Sequence, residues 1–136
     1  MAPRDAKQPM IRAQYYFRPS DDGLLAWDVR RLVELSRGLK ARRVRLSGIR
    51  ELDENHWYAY EGQIPTCRSI VEHAKLIDEA DLGYPIILDA DGRVMDGMHR
   101  VCKALRDGES YIQAVKFAET PPPDYVGRQP DELSYD

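Results

Sequence analysis

Four consecutive residues, Gly97, Met98, His99 and Arg100, concentrate the chemistry of this 136-residue chain. They follow an apolar run and open a segment whose apolar residues, Met98, Val101, Cys102 and Leu105, recur at helical spacing. A helix that opens on glycine presents bare backbone N–H groups at the positive end of its dipole, and the missing Cβ lets an anion approach them. Arg100 adds a guanidinium fork that matches two phosphate oxygens. His99 adds a ring that can bond a phosphate, stabilise a leaving oxygen or hold the loop. Taken together these residues are expected to seat a phosphate. The structural alternatives are a tight strand-to-helix junction for Gly97 and an ion pair with Asp96 or Glu72 for Arg100. Asp96 itself reads as a strand-end cap, a metal ligand or the partner that positions Arg100. Thr66 and Arg68, at the start of another helix, offer a second wall of N–H groups and charge, against the plainer reading of a capping Thr66 beside an exposed Arg68.

The elements that must position these residues are legible from periodicity. Pro85 to Leu88 is a short apolar run, Ala90-Asp91-Gly92 is turn chemistry, and Val94 resumes the apolar pattern, which together predict a hairpin leading into the helix. Strands are expected over 43–47, 85–89, 93–96 and 111–117, with a further short strand at 14–17. Helices are expected over 24–37, 66–80 and 97–106. The second of these carries Cys67, Ile70, Val71, Ala74 and Ile77 as an apolar stripe. Ile70, Val71, Ile86, Leu88, Val101, Leu105 and Val115 are therefore expected in the core. Residues 1–13 read as a loose leader, 14–118 as one domain, and 119–136 as a Pro-rich, acidic, extended arm. The acidic and aromatic segment 51–62, with Trp57, Tyr58 and Tyr60, reads as a loop covering one side of the core.

Composition narrows the class. A net charge of −3 and a pI near 5.6 argue against a protein that coats DNA over its whole surface. Arg37, Lys40, Arg42, Arg43 and Arg45 form a local exception, read either as a solvated helix end or as a seat for an anionic partner. No apolar run is long enough to span a bilayer, and the first ten residues lack the pattern of a secretory signal, so a cytoplasmic protein is expected. Cys67 and Cys102 sit at apolar helical positions and are expected as small buried thiols without a catalytic role. His56, His73 and His99 show no zinc spacing with them.

Pro85-Ile86-Ile87-Leu88-Asp89, Asp91-Gly92-Arg93-Val94 and Asp96-Gly97-Met98-His99-Arg100 together resemble the core of the ParB/sulfiredoxin superfamily. The resemblance runs from about Val44 to Phe117. Glu51-Leu52-Asp53, Trp57 and Pro65-Thr66-Cys67-Arg68 are similar to short, stand-alone proteins labelled ParB-like. The resemblance implies an α+β fold, a small mixed β-sheet packed with helices, and a glycine-to-arginine turn that contacts nucleotide phosphates. Two departures limit what carries over. Sulfiredoxins place a reactive cysteine before the His-Arg pair, where this chain has Met98, so their redox chemistry is not expected. ParB-type partition proteins carry Gly-Glu-Arg-Arg at the turn and a helix-turn-helix domain after it, and the residues beyond Phe117 read as too few and too Pro-rich for one.

Free-serine kinases of the same superfamily resemble the chain in their histidine-arginine turn and activate an acceptor hydroxyl with an early carboxylate. Glu51, Asp53 and Glu54 lie where that resemblance would place one. Glu51 or Asp53 is accordingly the expected general base or Mg²⁺ contact, with His99 as the third catalytic candidate. Gly97, Met98, His99 and Arg100, with Thr66 and Arg68, are the expected nucleotide contacts, and Asp96 is a further metal candidate. The expected activity is phosphoryl transfer to a small molecule, or hydrolysis, using ATP, ADP or CTP. The alternatives are a non-catalytic module that binds DNA or a partner protein, and a nuclease. Oligomeric state is left open.

Overall fold

The computed structural model describes residues 15–59 and 63–134. The expected leader over 1–13 and Tyr60 of the aromatic loop lie outside them. The described chain is an α+β fold with three α-helices and two small sheets. Its residues gather into two compact units, one formed by the two ends of the chain and the other by Leu39–Glu119.

In the first unit β1 (Tyr15–Arg18) and β2 (Leu25–Asp28) form an antiparallel hairpin. Gly23 closes its turn with a φ of 109°, and Ser20 and Gly23 exchange backbone hydrogen bonds of 3.1 Å. The helix expected to begin at Leu24 is therefore a strand up to Asp28. The carboxylate of Asp28 accepts the Arg30 N–H and caps the short α1 (Val29–Leu35). The segment after residue 119, expected as an extended arm, supplies β7 (Tyr125–Val126), which pairs with β2. The cause is local. Trp27 is buried, and its indole N–H donates to the Pro121 carbonyl at 2.8 Å. Asp124 accepts the Asp28 N–H at 2.7 Å and pairs with Arg31 at 3.0 Å.

The second unit is built on a four-stranded mixed sheet. β3 (Arg42–Arg45), β4 (Ile86–Leu88), β5 (Val94–Asp96) and β6 (Tyr111–Lys116) lie in the order β3-β6-β4-β5. β4 and β6 are parallel and the other pairs antiparallel. Asp89, fully buried, shapes the β4–β5 turn by accepting the N–H groups of Asp91 and Arg93, each at 2.8 Å. α3 (Met98–Arg106) follows β5 and packs Met98, Val101 and Ala104 into a core of Leu46, Ile49, Ile86, Leu88, Val94, Ile112 and Ala114.

α2 (Cys67–Glu79) packs beside α3, but not by the stripe read from its sequence. Its partly buried side is Ser69, His73, Leu76 and Ile77, whereas Ile70 is 53% and Val71 65% exposed. The inward face carries polar partners for neighbouring side chains, and meeting them turns the aliphatic residues outward. Cys67 is exposed for the same reason, and Leu105, one position past the buried side of α3, is exposed as well. Ile86, Leu88, Val101 and Val115 are buried as expected. Among the described residues no helix is long and apolar enough to cross a membrane.

Candidate functional site

The junction between β5 and α3 is tight because Gly97 is a glycine in two respects. Its φ of 105° lies in the left-handed region, and a Cβ there would come within 2.7 Å of Cγ2 of Ile86 on β4. The gap left by the missing Cβ is thus filled by the sheet. No side chain caps α3 at Gly97. Met98 turns its side chain into the core, and only its backbone belongs to the turn.

Arg100 is largely buried and engaged. One terminal nitrogen donates to the carbonyls of Tyr84 (3.0 Å) and Pro85 (2.7 Å), and the other donates to the Asp96 carboxylate at 3.1 Å. It clamps the first turn of α3 to the start of β4, and Asp96 is the group that positions it. The guanidinium is thus engaged by groups of the protein itself.

His99 meets His73, weighed from the sequence only for zinc spacing. Its Nε2 lies 2.8 Å from Nδ1 of His73 on α2. The two rings, tilted by only 22° to each other, lie flat against one face of Trp57, with centroids 4.0 Å (His73) and 4.7 Å (His99) from the indole. His56 approaches the same indole edge-on at 6.3 Å, so all three histidines of the chain gather around Trp57. Tyr58 completes the wall. Its hydroxyl shares a 2.5 Å hydrogen bond with Ser69, and its ring meets His73 edge-on. Asn55 holds this loop closed through the Tyr58 N–H and carbonyl.

Electrostatics favour neutral rings here. Burial, the neighbouring His73 and His56, and Arg100 push the pKa of His99 down to about 4. Burial also lowers His73, against the opposing pull of Glu72, and lowers His56, against Glu51 and Glu54. At neutral pH the site therefore offers uncharged imidazoles, able both to donate and to accept hydrogen bonds.

The predicted carboxylates are placed differently from one another. Glu51, on a short 3₁₀ turn (Arg50–Asp53), is buried, and its Oε2 accepts the Val94 N–H at 2.9 Å and lies 3.6 Å from Arg93. Its Oε1 is buried and bonds to no described residue. Asp53 is exposed, and Glu54 pairs with Arg93 at 2.7 Å. Thr66 caps α2 by accepting the Ser69 N–H at 3.1 Å, and Arg68 stands exposed in that first turn. No three acidic, histidine or cysteine side chains among the described residues are arranged to hold a metal, and Asp96 is committed to Arg100.

The signal that could have exposed His73 was present in the sequence. Ser69 and His73 lie four residues apart on a helix otherwise read as amphipathic, and a polar pair at that spacing marks a face with specific partners. Comparison of the chain with family models, with curated proteins and with solved structures gave no match.

Proposed function

We propose that this protein binds a nucleotide through its phosphates at the mouth of α3 and transfers or hydrolyses a phosphoryl group on a small molecule in the cytoplasm. The observation that carries the reading is the start of α3 itself: an uncapped helix terminus behind a left-handed Gly97, with a neutral imidazole, His99, in its first turn. Bare N–H groups and the helix dipole favour the negative charge of a phosphate. A neutral ring beside them hydrogen-bonds without the desolvation cost of a buried cation. The resemblance of residues 85–100 to the ParB/sulfiredoxin superfamily, in which that turn meets nucleotide phosphates, supports the same assignment. Arg100 contributes by fixing the turn and Glu51 by fixing the start of β5, which leaves Asp53 as the carboxylate open to an acceptor. Calorimetric titration of the full chain with ATP, ADP and CTP tests the reading. Saturable binding of at least one, lost in Arg100→Ala, is expected. Absence of binding by the intact protein to all three overturns it.

A second reading, binding to DNA, has its own observation. β3 is an edge strand whose Arg42, Arg43 and Arg45 are exposed and carry no ion pair among the described residues, with Arg43 and Arg45 stacked 4.1 and 5.1 Å from the Tyr111 ring. Lys40, Arg42 and Lys116 line a cleft of about 460 Å³ at its end. Cations also serve to blunt an exposed sheet edge against pairing, which ranks this reading second. DNA affinity that falls steeply with salt and is weakened by reversing Arg42 and Arg43 would favour it.

A further inference from the structure

His73 lies outside the phosphate seat, yet its Nδ1 is 2.8 Å from Nε2 of His99 within it. We propose that His73 and His99 act as a two-imidazole proton relay, in which His73 exchanges a proton with the acceptor hydroxyl and His99 passes one on. The proposal rests on reading the mouth of α3 as a phosphoryl-transfer site and names the acid–base groups of that site.

The geometry dictates the protonation. Two ring nitrogens 2.8 Å apart are at hydrogen-bond distance, so one proton lies between them. Each neutral imidazole carries a single N–H. When His73 donates from Nδ1, its Nε2 is a bare acceptor and His99 carries its proton on Nδ1. When His99 donates from Nε2, the arrangement is reversed. Neither outer nitrogen bonds to another described residue. Trp57, stacked on both rings, holds them nearly coplanar, as such a bond requires, and excludes water from one face.

Charge and protons balance through one cycle. His73 Nε2 takes the proton of the acceptor hydroxyl as its O–H bond breaks. The bridging proton shifts to His99 Nε2, and His99 Nδ1 releases its own. The acceptor oxygen bonds to phosphorus, and the leaving phosphate oxygen departs with the electron pair and accepts the released proton. The pair is neutral before and after but is left in the opposite tautomer, which the return of one proton through the same two rings restores before the next turnover. The groups facing it are Glu72 on its own helix, His56 and Tyr58 on the loop, and Arg100 on α3. Arg100 and His56 oppose a lasting positive charge on the pair, which favours passing a proton over storing it.

The test uses the full-length protein and His73→Gln, whose amide can still hydrogen-bond His99 but cannot carry a proton through. The expected result is nucleotide affinity within about threefold of the parent and turnover lower by about 10²-fold, the scale of one general acid–base group. Equal turnover in the two proteins overturns the proposal. A second arm does not depend on the substrate. In ¹⁵N spectra recorded across pH 4 to 8, the signals of both rings must move together in each step, as a coupled pair does. Independent titration of each ring near pH 6.5, its unperturbed value, overturns the relay even if nucleotide binds. Joint titration without nucleotide binding upholds the pair and faults the phosphoryl-transfer reading instead.

Discussion

Gly97, which opens α3, faces Ile86, the first residue of β4, with no room for a side chain between them: a Cβ built on the glycine would lie 2.7 Å from the isoleucine Cγ2 and 3.2 Å from its Cα. Gly97→Ala adds a methyl group to a closed space at a φ that L-residues avoid. A loss of about 2–5 kcal/mol is expected, combining backbone strain and overpacking. Chemical denaturation of the variant beside the parent measures it.

Arg100 joins three groups that would otherwise lack its hydrogen bonds, the Tyr84 and Pro85 carbonyls and the Asp96 carboxylate. Arg100→Met keeps much of the stem and removes the donors. It should cost about 1–2 kcal/mol, the scale of losing part-buried hydrogen bonds from a charged donor. Lysine at this position should recover only part of it, because one ammonium cannot reproduce a planar fork. Thermal unfolding of both variants decides the matter.

The histidine cluster predicts acid sensitivity. In the folded chain His99 binds a proton only near pH 4, while unfolded it binds one near 6.5. Between these values the unfolded state holds more protons, so stability falls as pH falls. The contribution is fully present above about pH 6.5 and fully lost below about pH 4. His73 and His56, lowered in the same direction, add to the effect. The melting temperature should decline across this window, and His99→Gln should flatten the decline. A melting temperature constant from pH 7 to pH 4 would contradict the burial of these rings.

Cys67 and Cys102 should respond differently to a thiol reagent. Cys67 is exposed at the start of α2, whereas burial pushes the Cys102 thiol up from its usual value. One fast and one slow reaction are expected in the native protein. Replacing both by serine should leave nucleotide binding intact.

The strands of the second unit could be read from the sequence because their signals are local. Ile86–Leu88 is a short apolar run, Ala90-Asp91-Gly92 supplies turn chemistry, and Ile112, Val115 and Phe117 supply the apolar contacts of the strand expected over 111–117. The helix face of α2 could not be read the same way. Hydrophobic spacing selected Ile70 and Val71, but Ser69 and His73 face inward because Tyr58 and His99 are there to meet them. The four-residue spacing of Ser69 and His73 was a trace of that face, but the identity of their partners, distant in sequence, was not. Residues 24–28 misled for a related reason. Leu25 falls in helical phase with Val29 and Leu32, yet the Ser20–Gly23 turn commits it to a hairpin. The Pro-rich segment gave no sign of its pairing, since its order follows from the buried indole of Trp27, which needs the Pro121 carbonyl. At the site, Gly97 and His99 were visible as types at a helix start, whereas the Trp57 stack on His73 and His99 depends on three separate segments meeting.

The central claim is that phosphate sits on the backbone at the start of α3, and amide spectra recorded during a titration with ADP report on it most directly. The account predicts saturable shifts that are largest at the N–H groups of Met98, His99 and Arg100 and that fit a single binding constant. Amides at those three positions that stay unmoved at saturating nucleotide, or shifts confined to the cleft of Lys40, Arg42 and Lys116, would contradict it.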